Sequence, residues 1–364
     1  MFRSSKKTIM FVGGGSGGHL FPGIAVADEL CLRVKDCNIV FFVTSKSIDM
    51  QIMKNTRYPW YVCSTIAFPR KKSLSQHVNF WRKFLVSWWE SEHLLRIKRP
   101  SCVVGLGGFG SFTAGSLALL HQIPVLYLEG NIVAGKVVRY LSPWSKGVFC
   151  QYENCFGLSP DKILASGLPI RQQKIYPKVR SDVLKILVMG GSQGAKCIEN
   201  NVLNSLVHLK SYRSRISFIH IAGKESCRAV EATYLKYGFH AQVHRFISQM
   251  DSVYSQVDLV VSRAGGSSLA EITSFGIAAI LIPFSAAADD HQRKNAMHIK
   301  NLNAGIVIEE KDLQPLLLAQ TIANLIDDKS KIEQMSCFSK KLGKPRATLA
   351  VVDYIAKNFL GSLV

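Results

Sequence analysis

TIMFVGGGSGGHLFPGIAVADEL, residues 8–30, is the stretch on which the fold turns. An apolar run from Ile9 to Val12 delivers a glycine turn, and the turn opens an amphipathic helix. That strand–turn–helix order belongs to a Rossmann-like unit, and Gly13, Gly15 and Gly18 fall on the spacing G-x-G-x-x-G. Glycines let backbone N–H groups approach an anion, and the helix start adds a partial positive charge. A dinucleotide site also needs an acidic side chain ending the second strand, but that strand closes on VTSKS, 43–47, with a lysine and no carboxylate. The turn is left as a cradle for another phosphorylated ligand, or as tight strand–helix packing.

Strand and helix signals alternate along the rest of the chain. Strands are expected at 8–12, 38–43, 102–105 and 124–128, and after about residue 165 the pattern restarts at 185–191, 217–223, 258–262 and 279–284. Each half opens alike, FVGGGSGGH and then LVMGGSQGA, with a Gly-, Pro- and Lys/Arg-containing linker at 163–182. Short apolar strands alternating with helices imply parallel sheets buried on both faces. The prediction is an α/β protein of two Rossmann-like parallel-sheet domains facing a cleft, 1–165 and 166–340. A final segment, 341–364, carries a helix at about 346–359 that packs back on the first domain.

With 364 residues, 48% hydrophobic and 19% charged, the chain can bury two cores. Its net charge of +20 suits polyanions: nucleic acid, nucleotide phosphates or an anionic membrane surface. Nine cysteines without a C-x-x-C pair or zinc spacing read as reduced thiols, many of them core residues. The N-terminus lacks a signal-peptide core. Residues 101–120 carry no charge, a membrane-span length, but five glycines interrupt them. A strand, a glycine loop and a helix at about 112–121 explain that stretch better.

Three loops carry candidate chemistry. His19 sits at a helix start, where the dipole favours the neutral imidazole; it could act as a general base, cap the helix or bond a phosphate. In SRAGGSSLAE, 262–271, Ser268 and Glu271 have capping-box spacing. The same stretch could hold a diphosphate on Ser267, Ser268 and the N–H groups after Gly266, with Glu271 accepting both hydroxyls of a ribose. In SAAADDHQRKNA, 285–296, Asp289 and Asp290 open a helix whose first turn presents His291 and Gln292 to a sugar.

GGGSGGH, GLGGFGSFTAG (105–115), LEGN (128–131), GLPIR (167–171), GGSQGA (190–195), SRAGGSSLAE and ADDHQRKNA occur in one order. Over about residues 8–310 this resembles the MurG family, UDP-N-acetylglucosamine transferases that complete the lipid-linked peptidoglycan precursor. The resemblance implies a GT-B fold and inverting transfer of GlcNAc to the C4 hydroxyl of a muramyl sugar on undecaprenyl diphosphate. It places Glu271 on the ribose, Ser192 and the turn Gly266, Ser267, Ser268 at the diphosphate, Leu269 and Ala270 among the donor-binding residues, Arg171 near the phosphates and Ile247 at the uracil. Gln292 with His291 would read the GlcNAc hydroxyls, with Ser16, Gly17, Gly18 and Asn131 reaching the sugar as well. His19 and Glu129 are the base candidates, with His19 favoured; Gly14, Gly15, Gly107, Gly108 and Ser111 would meet the acceptor diphosphate. No cofactor and no metal is implied. Against the family pattern, Ser16 stands for Thr, Phe109 for Tyr, Thr113 for a common Pro, Gly130 for Gln and Leu168 for Asn.

RKKSLSQHVNFWRKFLVSWW, 70–89, repeats Leu74, Val78, Trp81, Leu85 and Trp88 at helical spacing. Part of this stripe is expected to pack on the sheet. Lys71, Lys72, Phe80, Trp81, Phe84, Trp88 and Trp89 together suit a membrane interface. The expected setting is therefore peripheral, on the cytoplasmic face of the inner membrane, with UDP-GlcNAc, an undecaprenyl-linked muramyl peptide, anionic lipid and other cell-wall enzymes as partners. The alternatives that keep the fold and change the chemistry or the acceptor are another UDP-sugar transferase to a lipid acceptor and a UDP-GlcNAc epimerase. A nucleic-acid-binding protein would explain the charge but not the loops, and no such motif is present.

Overall fold

The computed structural model describes residues 7–64, 74–171, 176–177, 181–190, 195–223 and 226–361. The chain forms two compact units, one running to Arg171 and resuming at Pro345, the other spanning Gln172–Lys344.

In the first unit the strands are β1 (Lys7–Val12), β2 (Cys37–Thr44), β3 (Trp60–Cys63), β4 (Cys102–Gly105), β5 (Val125–Glu129), β6 (Gly147–Cys150) and β7 (Ile163–Leu164). Among the described residues they form one sheet, ordered β3-β2-β1-β4-β5-β6-β7, with every pairing parallel. Strand β1 is buried from Thr8 to Val12, as a strand with helices on both faces must be. The helices are α1 (Gly17–Arg33), α2 (Ser47–Lys54), α3 (Leu74–Lys98), α4 (Phe112–Leu120) and α5 (Lys136–Leu141). The charge-free stretch 101–120 resolves into β4, a 3₁₀ turn at Phe109–Ser111 and α4. Among the described residues no helix is long and apolar enough to cross a membrane.

The second unit repeats the plan with β8 (Leu184–Met189), β9 (Ile216–Ile221), β10 (His240–His244), β11 (Leu259–Ser262), β12 (Ala278–Leu281) and β13 (Gly305–Val307). Their order is β10-β9-β8-β11-β12-β13, again all parallel. The helices here are α6 (Lys196–Ser205), α7 (Cys227–Tyr237), α8 (Met250–Tyr254), α9 (Gly266–Phe275), α10 (His291–Asn301), α11 (Pro315–Asp327) and α12 (Lys329–Leu342). In both sheets the order reverses beside the first strand, at β1/β4 and β8/β11. Ligands of doubly wound sheets gather at that switch point.

The last helix, α13 (Ala347–Ile355), lies on α1 within the first unit. Arg33 pairs with Asp353 at 2.6 Å, and the Thr348 hydroxyl donates to the Ile170 carbonyl, also at 2.6 Å. The segment read as linker therefore begins as structure: Ile163–Leu164 pair with β6, and Ile170 is pinned to α13.

Tyr127 on β5 fills the centre of the first core. A Cβ at Gly105 would lie 2.3 Å from its ring, and one at Gly115 2.6 Å from its hydroxyl, so the two glycines make the room it occupies. The ring is fully buried, and its hydroxyl finds no partner among the described residues. Burial pushes the phenol well above its ordinary value. Tyr127→Phe removes that unsatisfied group at nearly constant volume. It is expected to stabilise the protein by about 1 kcal/mol in chemical denaturation.

Candidate active site

Strand β1 gives way at Val12 to Gly13, Gly14 and Gly15, with φ of +120°, +144° and +99°. A Cβ at Gly13 would lie 2.6 Å from the Gly107 carbonyl oxygen, and one at Gly108 2.6 Å from that of Gly14. The loops leaving β1 and β4 thus touch backbone to backbone, which only glycine allows. His19, in the first turn of α1, lies over this contact: a Cβ on Gly107 would be 3.5 Å from its Nε2. Its Nδ1 is 3.1 Å from the Gly14 carbonyl and 3.2 Å from Ser16 Oγ. A carbonyl can only accept, so Nδ1 carries a hydrogen, and whenever the ring is neutral Nε2 is its acceptor.

The other residues expected on this side divide sharply. The Gly15 N–H donates to Asp49 Oδ2 at 2.6 Å, and Ser111 is fully buried with its hydroxyl donating to the Gly108 carbonyl. Both groups are therefore engaged within the protein. Glu129 is buried and accepts three N–H groups, from Asn131 backbone and side chain (2.9 Å each) and from Gly135 (2.8 Å). It orders the loop carrying Asn131 and the start of α5. Arg171 stacks 4.0 Å over the ring of Phe21, two residues after His19.

Three of the five departures from the family pattern, Thr113, Leu168 and Phe109, have defined packing partners. Thr113 is fully buried and bonds Ser87 Oγ (2.9 Å) and Ser91 Oγ (3.0 Å), joining α4 to α3. Leu168 is core, with its N–H donating to Gln151. Phe109 stacks on Phe112 and meets Phe80.

Helix α3 corrects one expectation. Its packed face is Phe80, Ser87, Ser91, Leu94 and Leu95, so Phe80, 3% exposed, is not part of a surface patch. Val78, Trp81, Leu85 and Trp89, between 54% and 66% exposed, face outward instead, while Trp88 is half-buried against the core. Ring contacts run on from Phe84 through Phe112 to Tyr140 and Trp144, each of the last two 63% exposed. Exposed Arg82, Lys136 and Lys146 lie in the same segments. Lys71, Lys72 and, in the second unit, Ser192 lie outside the described residues.

In the second unit α9 starts at Gly266 with Gly265 at the N-cap. Ser268 is thus the third helical residue and makes no capping box with Glu271. The first-turn N–H groups, from Gly266 to Ser268, lack helical acceptors and lie beside half-buried Ser267 and Ser268, an arrangement with the chemistry to receive an anion. Leu269 and Ala270 face the core. Glu271 Oε2 accepts from the Tyr254 hydroxyl at 3.0 Å, a partner the sequence did not reveal. Ile247 packs on the apolar cluster that also holds Tyr254 and Leu269. Buried Asn295 donates to the Ala264 carbonyl at 3.1 Å, tying α10 to the loop before α9. His291 and Gln292 open α10, and Gln292 Oε1 accepts the Phe284 N–H at 3.0 Å, which turns the amide NH₂ the other way.

Arg263, inside the glycine motif, holds protein rather than ligand. It donates to the carbonyls of Ile282 and Pro283 and to Glu310 at 2.5 Å. Ser285 gives Glu310 both its N–H (3.0 Å) and its hydroxyl (2.6 Å). Among the described residues no cluster of three His, Cys, Asp or Glu side chains stands at metal-binding distance.

Two family models match the chain: the glycosyltransferase family 28 N-terminal domain over residues 9–150 and the family 28 C-terminal domain over 185–349. It is 35% identical over 353 residues to UDP-N-acetylglucosamine--N-acetylmuramyl-(pentapeptide) pyrophosphoryl-undecaprenol N-acetylglucosamine transferases of Anaeromyxobacter dehalogenans and Geobacter sulfurreducens. The matches cover 95% of this chain and 91% and 97% of those proteins. The crystal structure of Acinetobacter baumannii MurG is 28% identical with a TM-score of 0.76, covering 96% of this chain and 99% of that one. A UDP-GlcNAc 2-epimerase from Neisseria meningitidis, bound to UDP-GlcNAc, shares the fold alone: 15% identity and a TM-score of 0.63 over 97% and 100% of the two chains. The two parallel-sheet units are thus those of a GT-B fold.

Burial raises the Glu310 carboxyl, but the Ser285 hydroxyl and N–H and the Arg263 guanidinium outweigh it and hold the group down at about 2, against an ordinary 4.5. A depressed acid stabilises the fold in full above its unfolded value and loses that contribution as pH falls toward the folded one. The difference in Tm between the protein and Glu310→Gln should be full at pH 6 and shrink from pH 4.5 downward.

Proposed function

The chain belongs to glycosyltransferase family 28, and from that premise we propose that it moves N-acetylglucosamine from UDP-GlcNAc to the C4 hydroxyl of a muramyl pentapeptide carried on undecaprenyl diphosphate. The observation that carries this reading is likeness over 95% of the chain to transferases of that name. The geometry supports a division of labour. The second unit binds the donor: the N-terminus of α9 receives the diphosphate, Glu271, oriented by Tyr254, accepts the ribose hydroxyls, and the backbone at Ile247 meets the uracil. Gln292 offers its NH₂ to the sugar hydroxyls, and His291 stands beside it.

The first unit supplies the acceptor side and the base. His19 Nε2 takes the proton of the C4 hydroxyl while its oxygen attacks the anomeric carbon. The bond to the UDP oxygen breaks with inversion. Nδ1–H stays with the Gly14 carbonyl, so the ring gains its charge in a fixed orientation. Glu129, with three N–H donors on its carboxylate, serves instead to set Asn131. Ser16, Gly17 and Gly18 lie at the sugar, and Gly14, Gly107 and Gly108 meet the acceptor diphosphate. Arg171 and the α9 N–H groups stabilise departing UDP, and no step in this reading calls on a metal.

The lipid tail gives the exposed aromatic face a purpose. Trp81, Leu85 and Trp89 with Tyr140 and Trp144 enter the headgroup region of the cytoplasmic leaflet, and flanking Lys and Arg meet anionic lipid. The protein then works as a peripheral enzyme of peptidoglycan synthesis.

Purified protein given radiolabelled UDP-GlcNAc and a short-chain lipid-linked muramyl pentapeptide should yield a labelled lipid-linked disaccharide. Label that stays on the nucleotide as a sugar epimer would instead mean epimerisation. In calorimetric titration, Glu271→Ala should weaken UDP-GlcNAc binding by about 1–3 kcal/mol. The double variant Trp81→Ala, Trp89→Ala should lower partition onto anionic vesicles by about tenfold or more while sparing turnover of a water-soluble acceptor.

A further inference from the structure

We propose that Asp49 is a positioning residue for His19, acting through the single peptide group that joins Gly14 to Gly15; the inference rests on His19 being the base. The carbonyl of that group accepts His19 Nδ1–H at 3.1 Å, and its N–H donates to Asp49 Oδ2 at 2.6 Å. Carboxylate, amide and imidazole thus form one line of hydrogen bonds. A carboxylate drawing on an amide N–H polarises the amide and makes its carbonyl a stronger acceptor. That carbonyl fixes the ring with hydrogen on Nδ1, and it stabilises the imidazolium formed when Nε2 takes the C4 proton. Asp49 itself takes no proton: the one lost by the hydroxyl ends on Nε2.

The surroundings are built for this. Asp49, in the first turn of α2, is fully buried, and the Thr44 hydroxyl donates to the same Oδ2. Its other oxygen has no partner among the described residues. Packing alone does not favour a partly satisfied buried carboxylate, so the feature asks for a function. A Cβ at Gly14 would lie 2.4 Å from Oδ2, so glycine there is what lets the carboxylate reach the loop. Lys46, at the N-cap of α2, donates from Nζ to the Gly15 carbonyl at 3.2 Å. Asp49 and Lys46 are therefore the charged groups brought to the loop from α2. The loop before α4 brings Gly107, Gly108 and Ser111; α1 brings Ser16, and Phe21 with Arg171 stacked on it.

The test compares the protein with Asp49→Asn, whose side-chain oxygen can still accept the Gly15 N–H, so that the negative charge is removed while that hydrogen bond is kept. In ¹⁵N-histidine NMR, His19 of the unaltered protein should carry its hydrogen on Nδ1. Asp49→Asn should lower its pKa by about one unit, because an imidazolium loses a favourable negative charge. The acid limb of the kcat/KM profile should move to lower pH with it. At neutral pH kcat should fall roughly tenfold to a hundredfold with the KM for UDP-GlcNAc unchanged. Added to His19→Ala, the same substitution should cost nothing more. Asp49→Glu should restore part of the shift. An Nε2–H tautomer in the unaltered protein overturns the inference without any variant, as does an unmoved His19 titration in Asp49→Asn or an equal loss in both backgrounds. If His19→Ala turns over normally, the base assignment fails, and the NMR comparison still decides whether Asp49 governs the ring.

Discussion

Where β1 and β4 end, main chain rests directly on main chain. Any side chain at Gly13 or Gly108 would fall 2.6 Å from a carbonyl oxygen of the opposite loop. The arrangement of the first unit's site follows from that constraint. Two neighbouring strands at the switch point of a doubly wound sheet release their loops side by side, and glycine alone lets them close on each other. His19 then lies on a floor of backbone, where its Nδ1 meets a carbonyl and its Nε2 lies over the second glycine loop.

The second unit uses the same sheet order for a different purpose. After β11 the chain passes through Gly265 into α9 with no side-chain cap, so the first-turn N–H groups keep their capacity for an anion. The neighbours hold the frame: Tyr254 on Glu271, Asn295 on the Ala264 carbonyl, and Arg263 with Glu310 and Ser285 on the loop after β12. The half read as donor-binding is thus stiffened by side chains. The half read as acceptor-binding is stiffened by main-chain contact and buried carboxylates.

Much of this was legible in the sequence, and the reasons for the remainder are physical. The long apolar strands and both glycine turns announce themselves by composition and order. Strands β3, β6, β7, β10 and β13 do not: they span two to five residues, too few for a period to show, or carry polar residues, as HAQVH does at β10. For α3 the spacing marked a stripe but could not say which stripe was inside. Ser87 and Ser91 turned out to be core because Thr113 meets their hydroxyls. The end of β2 carries no carboxylate, yet Asp49 a few residues on reaches the glycine turn from α2. Tyr254 and Asp49 both act across the fold, and no local pattern marks such partners.

Because the chain leaves the first unit at Arg171 and returns only at Pro345, the second unit is an insertion within the first. The helix that covers α1, with Val351, Val352 and Ile355 wholly buried, is made only after the whole second unit has been synthesised. The unit begun first is therefore completed last, and the inserted one can mature while its host still exposes an apolar flank. A nascent or truncated chain ending near residue 344 would carry that open flank as its signal to chaperones and proteases.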